Sequence, residues 1–254
     1  MWSATVERIP GREKLALGLG LTAIIALSWA YTVWLAVDMR TVGAHHHHAA
    51  TAQLGGLFLM WTVMMIAMML PTALPMLTMY ARMHRGRWAD RSAVLPTSLF
   101  LLGYALAWTV FSGAASFLQL WLERSALATS PMGVLESRGA AGILLVLAGA
   151  FQLSPLKNVC LTQCRTPLTF LMTAWREGRA GAVAMGLHHG LFCIGCCWAL
   201  MALLFVAGVM NLLWMGAITV YMAIEKIAPG GKALARWGGV ALILAGTATL
   251  LYRG

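Results

Sequence analysis

Residues 183–208 read VAMGLHHGLFCIGCCWALMALLFVAG. A membrane-crossing helix takes about 20 predominantly apolar residues at 1.5 Å rise each. This stretch is long enough and holds no Asp, Glu, Lys or Arg. Yet His188, His189, Cys193, Cys196 and Cys197 place five metal-ligand-type side chains within ten residues of it. On a helix, His189, Cys193, Cys196 and Cys197 fall at i, i+4, i+7 and i+8, which is one face, and Met185 extends that stripe by a turn. His188 points about 100° away. A single cysteine in such a place is ordinarily a small buried hydrophobe at a helix interface. Three cysteines and a histidine on one face point instead to soft-ligand or redox chemistry.

The rest of the chain has the same grain. It is 60% hydrophobic and 10% charged, against about 25% charged in ordinary globular chains. Apolar stretches run near 15–37, 54–80, 94–122, 139–153, 183–208, 210–225 and 234–252. They predict an all-α polytopic membrane protein, a single transmembrane domain over 1–254 with about seven transmembrane helices. The fourth and sixth stretches are near the short limit. The first follows Arg8, Arg12 and Lys14 in the manner of a signal peptide. Its apolar run exceeds the 7–15 residues of a signal core and no A-x-A-like site closes it, so it reads as an uncleaved span.

The formal charge is +10. No basic patch is interleaved with aromatic residues, so nucleic acid is not an expected partner. Fourteen of the eighteen Lys and Arg lie in alternate gaps between the seven stretches. By the positive-inside rule the N-terminus is then cytoplasmic and the C-terminus outside. In the 154–182 gap, Ser154-Pro155 and Thr166-Pro167 are N-cap and N1 pairs. They predict two short cytoplasmic helices between spans 4 and 5, over 155–164 and 167–177, the second ending near Gly178. Ser130-Pro131 predicts a short segment at the opposite surface. No 20–50-residue repeat is present.

Further groups could carry chemistry. Cys160 and Cys164 share a helix face at i, i+4 in KNVCLTQCRTP. They fall on the expected cytoplasmic side, where thiols stay reduced, so thiolate ligands or transient redox partners suit them better than a structural disulfide. The second span holds Met60, Met64, Met65, Met68, Met69, Met76, Met79 and Met83, all within one half of a helix. Thioether sulfur favours Cu(I), although a methionine stripe equally suits packing. Pro71 and Pro75 would free backbone carbonyls in that span. His45, His46, His47 and His48 in the first outer loop suit metal capture without selecting an ion. Glu225 and Lys226 end the sixth span, where a carboxylate beside a lysine reads as an ion pair marking the cytoplasmic edge. Met215 and Met222 share the face of Glu225. The chain has no GxxxxGK[ST], DKTGT, GxSxG or HExxH segment, so it does not use ATP by itself. No CxxCH haem motif is present.

The strings MWTVMMIAMMLPTALPM (60–76), the Cys160/Cys164 pair, GLHHGLFCIGCCWALMALLFVAGVMNLLWM (186–215) and EK (225–226) resemble a bacterial family of predicted metal-binding integral membrane proteins. That family is catalogued as a domain of unknown function, and some of its members are labelled copper chaperone. The resemblance covers roughly residues 55–230 and implies an all-helical membrane fold and metal binding; the expected location is the bacterial inner membrane. The four-histidine loop is not part of it.

The leading expectation is therefore a Cu(I)-handling membrane protein, for transport or for delivery to a copper enzyme, metallochaperone or membrane complex. Zinc is the alternative ion, since it also accepts Cys and His. Two other readings stand beside it. One is a structural or assembly subunit of a larger membrane complex, which the eleven Trp and the short loops suit. The other is a membrane thiol-disulfide oxidoreductase using Cys160/Cys164 and the Cys196-Cys197 neighbourhood.

Overall fold

The computed structural model describes residues 11–42, 50–87, 92–129 and 133–252. Its helices are α1 (Gly11–Val42), α2 (Ala50–Arg87), α3 (Val94–Arg124), α4 (Arg138–Leu153), α5 (Pro155–Arg165), α6 (Pro167–Ala174), α7 (Gly178–Ala202), α8 (Leu204–Ala207), α9 (Leu212–Ile227) and α10 (Gly231–Leu251). Every expected apolar stretch is helical. Five have the length and composition to cross a membrane: α1, α2, α3, α7 continued into α8, and α10. The fourth and sixth differ. α4 and α9 have 16 residues each, about 24 Å of helix against a hydrocarbon core of about 30 Å. α4 reaches span length only together with α5, which is bent 63° from it. Among the described residues there are thus five full-length helices, one bent pair and the short α9.

Burial is inside-out, as a lipid solvent requires. Leu15, Leu19, Leu27 and Trp34 of α1, Val110 and Phe117 of α3, and Trp237 and Leu244 of α10 are exposed. Ser112, Ser116, Gln119, Gln152, Lys157 and Glu225 are buried. Exposed apolar surface on this scale belongs against lipid or another protein. α5 follows the same rule. Its outward face carries Leu156 and Val159, and its inward face carries Lys157 and Leu161. It is thus packed into the bundle rather than laid on a cytoplasmic surface.

Three of the basic gaps meet at one end of the described helices. Glu13 of α1 meets Arg85 of α2 at 3.4 Å. The Arg87 guanidinium lies 4.4 Å over the Trp175 ring, and Trp175 stacks on Tyr80 at 5.5 Å. That anchor corrects one helix boundary: α6 stops at Ala174, three residues short of 177, because Trp175 leaves the helix to reach Tyr80. Gly178, expected to close α6, instead opens α7 with φ +77°. Of the two expected caps, Ser154 Oγ accepts from Lys157 N at 3.2 Å. Thr166 does not cap; its hydroxyl donates back to the Thr162 carbonyl at 2.8 Å.

The opposite end holds an antiparallel two-residue hairpin, β1 (Ala128–Thr129) and β2 (Val134–Leu135), a small departure from the all-α expectation. The segment expected from Ser130-Pro131 lies outside the described residues, as does the loop His45–His48.

Two packing devices fix the centre. α3 and α7 run backbone against backbone: a Cβ on Gly103 would strike the Val183 carbonyl, and one on Gly186 the Phe100 carbonyl. In α2, Pro71 has no N–H, which leaves the Ala67 carbonyl without its helical donor. The Trp29 indole N–H of α1 takes that carbonyl at 2.9 Å. The sequence pattern of prolines freeing carbonyls is thus realised as a tie between α1 and α2.

Candidate metal centre

α7 carries its ligand-type residues as its periodicity dictates. Cys193, Cys196 and Cys197 are 0–2% exposed and His189 is 3% exposed, whereas His188 faces outward. Helical side chains lean toward the N-terminus. Accordingly, the Cys196 and Cys197 thiols both donate to the Cys193 carbonyl, at 3.1 and 2.8 Å. The three sulfurs gather around one turn, fifteen residues into α7, about 22 Å from its start.

α5 brings the other two cysteines to the same place. Cys164 Sγ lies 3.9 Å from Cys196 Sγ. Cys160 packs against Gly195, where an added Cβ would sit 2.9 Å from its sulfur. All five cysteines of the chain, free of disulfides, therefore converge from two helices. Two thiolates on one tetrahedral ion with metal–sulfur bonds of about 2.3 Å stand about 3.8 Å apart, so the Cys164–Cys196 spacing fits a shared ion.

α2 supplies thioethers. Met69 Sδ is 3.9 Å from Cys197 Sγ. Met60, Met64, Met65 and Met68 are buried in the same cluster as the cysteines, joined by Met215 and Met222 of α9. Met76 and Met83 belong to a second cluster, with Met185 and the aromatic residues Tyr80, Phe100 and Phe170. Met79 packs against that second cluster from its partly buried edge.

Polar groups close the centre. Tyr104 Oη lies 3.2 Å from Cys193 Sγ and donates to the Met69 carbonyl at 3.3 Å. Lys226 Nζ donates to Cys193 Sγ and to Thr72 Oγ1, both at 3.1 Å. His189 stacks on Tyr104 at 5.7 Å and tilts against Phe170 at 5.5 Å. Its Nδ1 is buried without a hydrogen-bond partner. Among the described residues, no three His, Cys, Asp or Glu side chains are close enough to enclose an ion as they stand. The donors present are two-sulfur approaches, Cys164 with Cys196 and Cys197 with Met69, which is a low-coordinate soft-ligand arrangement.

Glu225 and Lys226 do not pair with each other. Neighbouring residues on a helix diverge by about 100°, and here they serve different helices. Glu225 takes Lys157 of α5 at 2.6 Å, both side chains wholly buried. Lys226 turns to α7 and α2. Lys226 meets Cys193 fifteen residues into α7. Sequence reasoning counted Lys157 as a loop charge and did not single out Tyr104, Thr72, Gln152 or Arg165. One signal was available: an ionisable residue three positions from Cys160, in a helix whose outer face is apolar, is by default functional inside a membrane.

No curated protein and no solved structure matches the chain. A family model described as PpoB2, copper chaperone, matches residues 58–249, from α2 into α10. That range contains every group just described, and with more than half of the sequence matched, the chain belongs to the PpoB2 copper chaperone family.

Proposed function

We propose that this protein is a membrane-embedded Cu(I) carrier that holds the ion on the α5–α7 thiols and hands it to a partner protein by ligand exchange. The observation that carries this reading is the approach of the half-buried Cys160 and Cys164 of α5 to the buried cysteines of α7, with Met69 beside Cys197. The family's description is in keeping with it. Cys193, Cys196, Cys197, Cys164 and Cys160 are the primary donors. His189, with its unpartnered Nδ1, is a further one. Met60, Met64, Met65 and Met68 pass the ion along α2, and His45–His48 collect it outside. His188 faces away and is left with no place among the donors.

The charges support a monovalent ion over zinc. With the ion on one two-thiolate pair at a time, such as Cys164 with Cys196, those two charges balance one Cu(I) and the Lys226 ammonium. With Zn²⁺ the same pair would leave one positive charge uncompensated at a buried site, which is costly. The positive-inside bias persists when the buried Lys157 and Lys226 are set aside, and supports a cytoplasmic N-terminus in a bacterial inner membrane. With no ATP motif, direction is set by the affinity of the partner that takes the ion.

The test is metal content of the full-length protein in detergent after anaerobic Cu(I) loading, beside the Cys193/Cys196/Cys197→Ser variant. Mass spectrometry is expected to give near-stoichiometric copper in the wild type and none in the variant, and X-ray absorption sulfur neighbours to the wild-type ion. Absence of copper from both would overturn the reading. One observation favours a second reading: the Cys164 and Cys196 sulfurs, 3.9 Å apart, could also form a disulfide. A thiol oxidoreductase would show a reversible two-electron titration of that pair and no bound copper.

A further inference from the structure

A second buried polar network touches no sulfur. Lys157 Nζ donates to Glu225 Oε1 at 2.6 Å and to Gln152 Oε1. Gln152 Nε2 donates to the Tyr221 hydroxyl at 2.9 Å and to Glu225 Oε1 at 3.4 Å. Lys157 and Glu225 are wholly buried and Gln152 is 1% exposed. Eight residues along α5, the Arg165 guanidinium donates to the Glu225 carbonyl, to the Ala228 carbonyl at 2.7 Å and to the Pro229 carbonyl at 3.3 Å. Both ends of α5 are thus tied to the last turn of α9. The next residue, Lys226, ties that same turn to α7 through Cys193.

Cys160 and Cys164 lie between the two ties. Lys157, Cys160, Leu161, Cys164 and Arg165 are at i, i+3, i+4, i+7 and i+8, one face of α5. A shift of α5 by one residue would turn this face by about 100° and remove Cys164 from Cys196. A buried ion pair is a poor device for stability, because apolar residues of similar volume usually serve as well. Its virtue is that it satisfies one register only.

We propose that the Lys157–Glu225 pair, with Arg165, is a latch that sets the register of α5 so that Cys164 faces Cys196. Lys157, Glu225 and Arg165 are positioning residues and touch no ion. The inference rests on the Cu(I) reading for its purpose, but its geometry can be tested without copper.

The experiment uses full-length protein in detergent, with Cys160, Cys193 and Cys197 changed to Ser so that only Cys164 and Cys196 remain. Bridging by dibromobimane, which fluoresces when it joins two nearby thiols, reports their distance. Three backgrounds are compared: the native pair, the apolar pair Lys157→Leu/Glu225→Leu, and the exchanged pair Lys157→Glu/Glu225→Lys. Thermal unfolding is followed for each. A second set with all cysteines native is titrated with Cu(I) against a chromogenic chelator.

The expected result is that the leucine pair unfolds at or above the native temperature yet loses most of its bridging. With native cysteines it should bind Cu(I) about 10-fold more weakly, the size typical when a group supporting metal ligands is lost. The exchanged pair recovers bridging. Bridging at the native level in a stable leucine pair would overturn the latch. So would loss of bridging that only tracks loss of thermal stability in both variants. If wild type binds no Cu(I) while bridging behaves as expected, the latch stands and the copper reading falls.

Discussion

α2 runs its methionines through two different surroundings. Around Met69 the neighbours are thiols, a lysine, a tyrosine hydroxyl and a threonine. Around Met76 and Met83 the neighbours are Tyr80, Phe100, Phe170 and Leu171. Sulfur beside aromatic rings is a favourable packing contact that needs no ion. Sulfur beside thiols gains little from packing and much from a shared soft cation. One stripe of like residues is thereby divided, with a core at one end of the helix and candidate ligands at the other. Side-chain identity alone does not separate the two uses; the partner helices do, α3, α6 and α7 for the first and α3, α5, α7 and α9 for the second.

The sharpest way to break this comparison is to remove the charge that stands against the thiols. Zn²⁺ carries one more unit charge than Cu(I). At about 5 Å from an ammonium and an effective dielectric of 20, that extra charge costs about 3 kcal/mol, a factor on the order of 100 in preference. Lys226→Met is therefore expected to raise Zn²⁺ affinity relative to Cu(I) by about two orders of magnitude, read by competitive titration. An unchanged ratio would mean that Lys226 does not act on the bound ion. A smaller effect separates the methionines themselves. Met69→Leu removes one soft donor beside Cys197 and is expected to weaken Cu(I) by about 10-fold, near 1.4 kcal/mol. Met76→Leu conserves volume among aromatic neighbours and is expected to leave the affinity alone. Equal effects from the two would erase the division of the stripe.

Much of this division was legible and some was not. The helical periods were plain because apolar runs of this length admit little else. The shared face of His189, Cys193, Cys196 and Cys197 follows from spacing within one helix, and the structure buries all four. What spacing cannot give is which helix lies opposite. Cys160 and Cys164 read as a separate cytoplasmic pair because Ser154-Pro155 starts a helix but says nothing of the 63° turn that swings it inward. Glu225 and Lys226 read as partners because they are adjacent, whereas each has a buried partner on another helix, Lys157 for one and Cys193 for the other. Lys157 was hidden by its setting, since a lysine between two prolines in a basic gap looks like a solvated charge. The methionine stripe was visible whole, but its division depends on Phe100, Phe170 and Cys197, which come from three other helices.

The smallest expected effect concerns Tyr104, which stands at the join of α3, α2 and α7. Its hydroxyl lies between the Met69 carbonyl and the Cys193 sulfur, and its ring lies on His189. Removing the hydroxyl leaves the ring contact intact but takes a partner from both groups. The carbonyl keeps the Thr72 hydroxyl, which donates to it at 2.8 Å, and Cys193 keeps Lys226. Neither is orphaned, so the loss is that of one ordinary hydrogen bond, about 1 kcal/mol. For a chain of this length that corresponds to a fall of about 2–4 °C in the unfolding midpoint. Tyr104→Phe is expected to show that fall in detergent while retaining its copper. A larger fall, or lost copper, would mean that the hydroxyl orders the whole thiol cluster, and that polar ties as much as sulfur distinguish this end of α2 from the other.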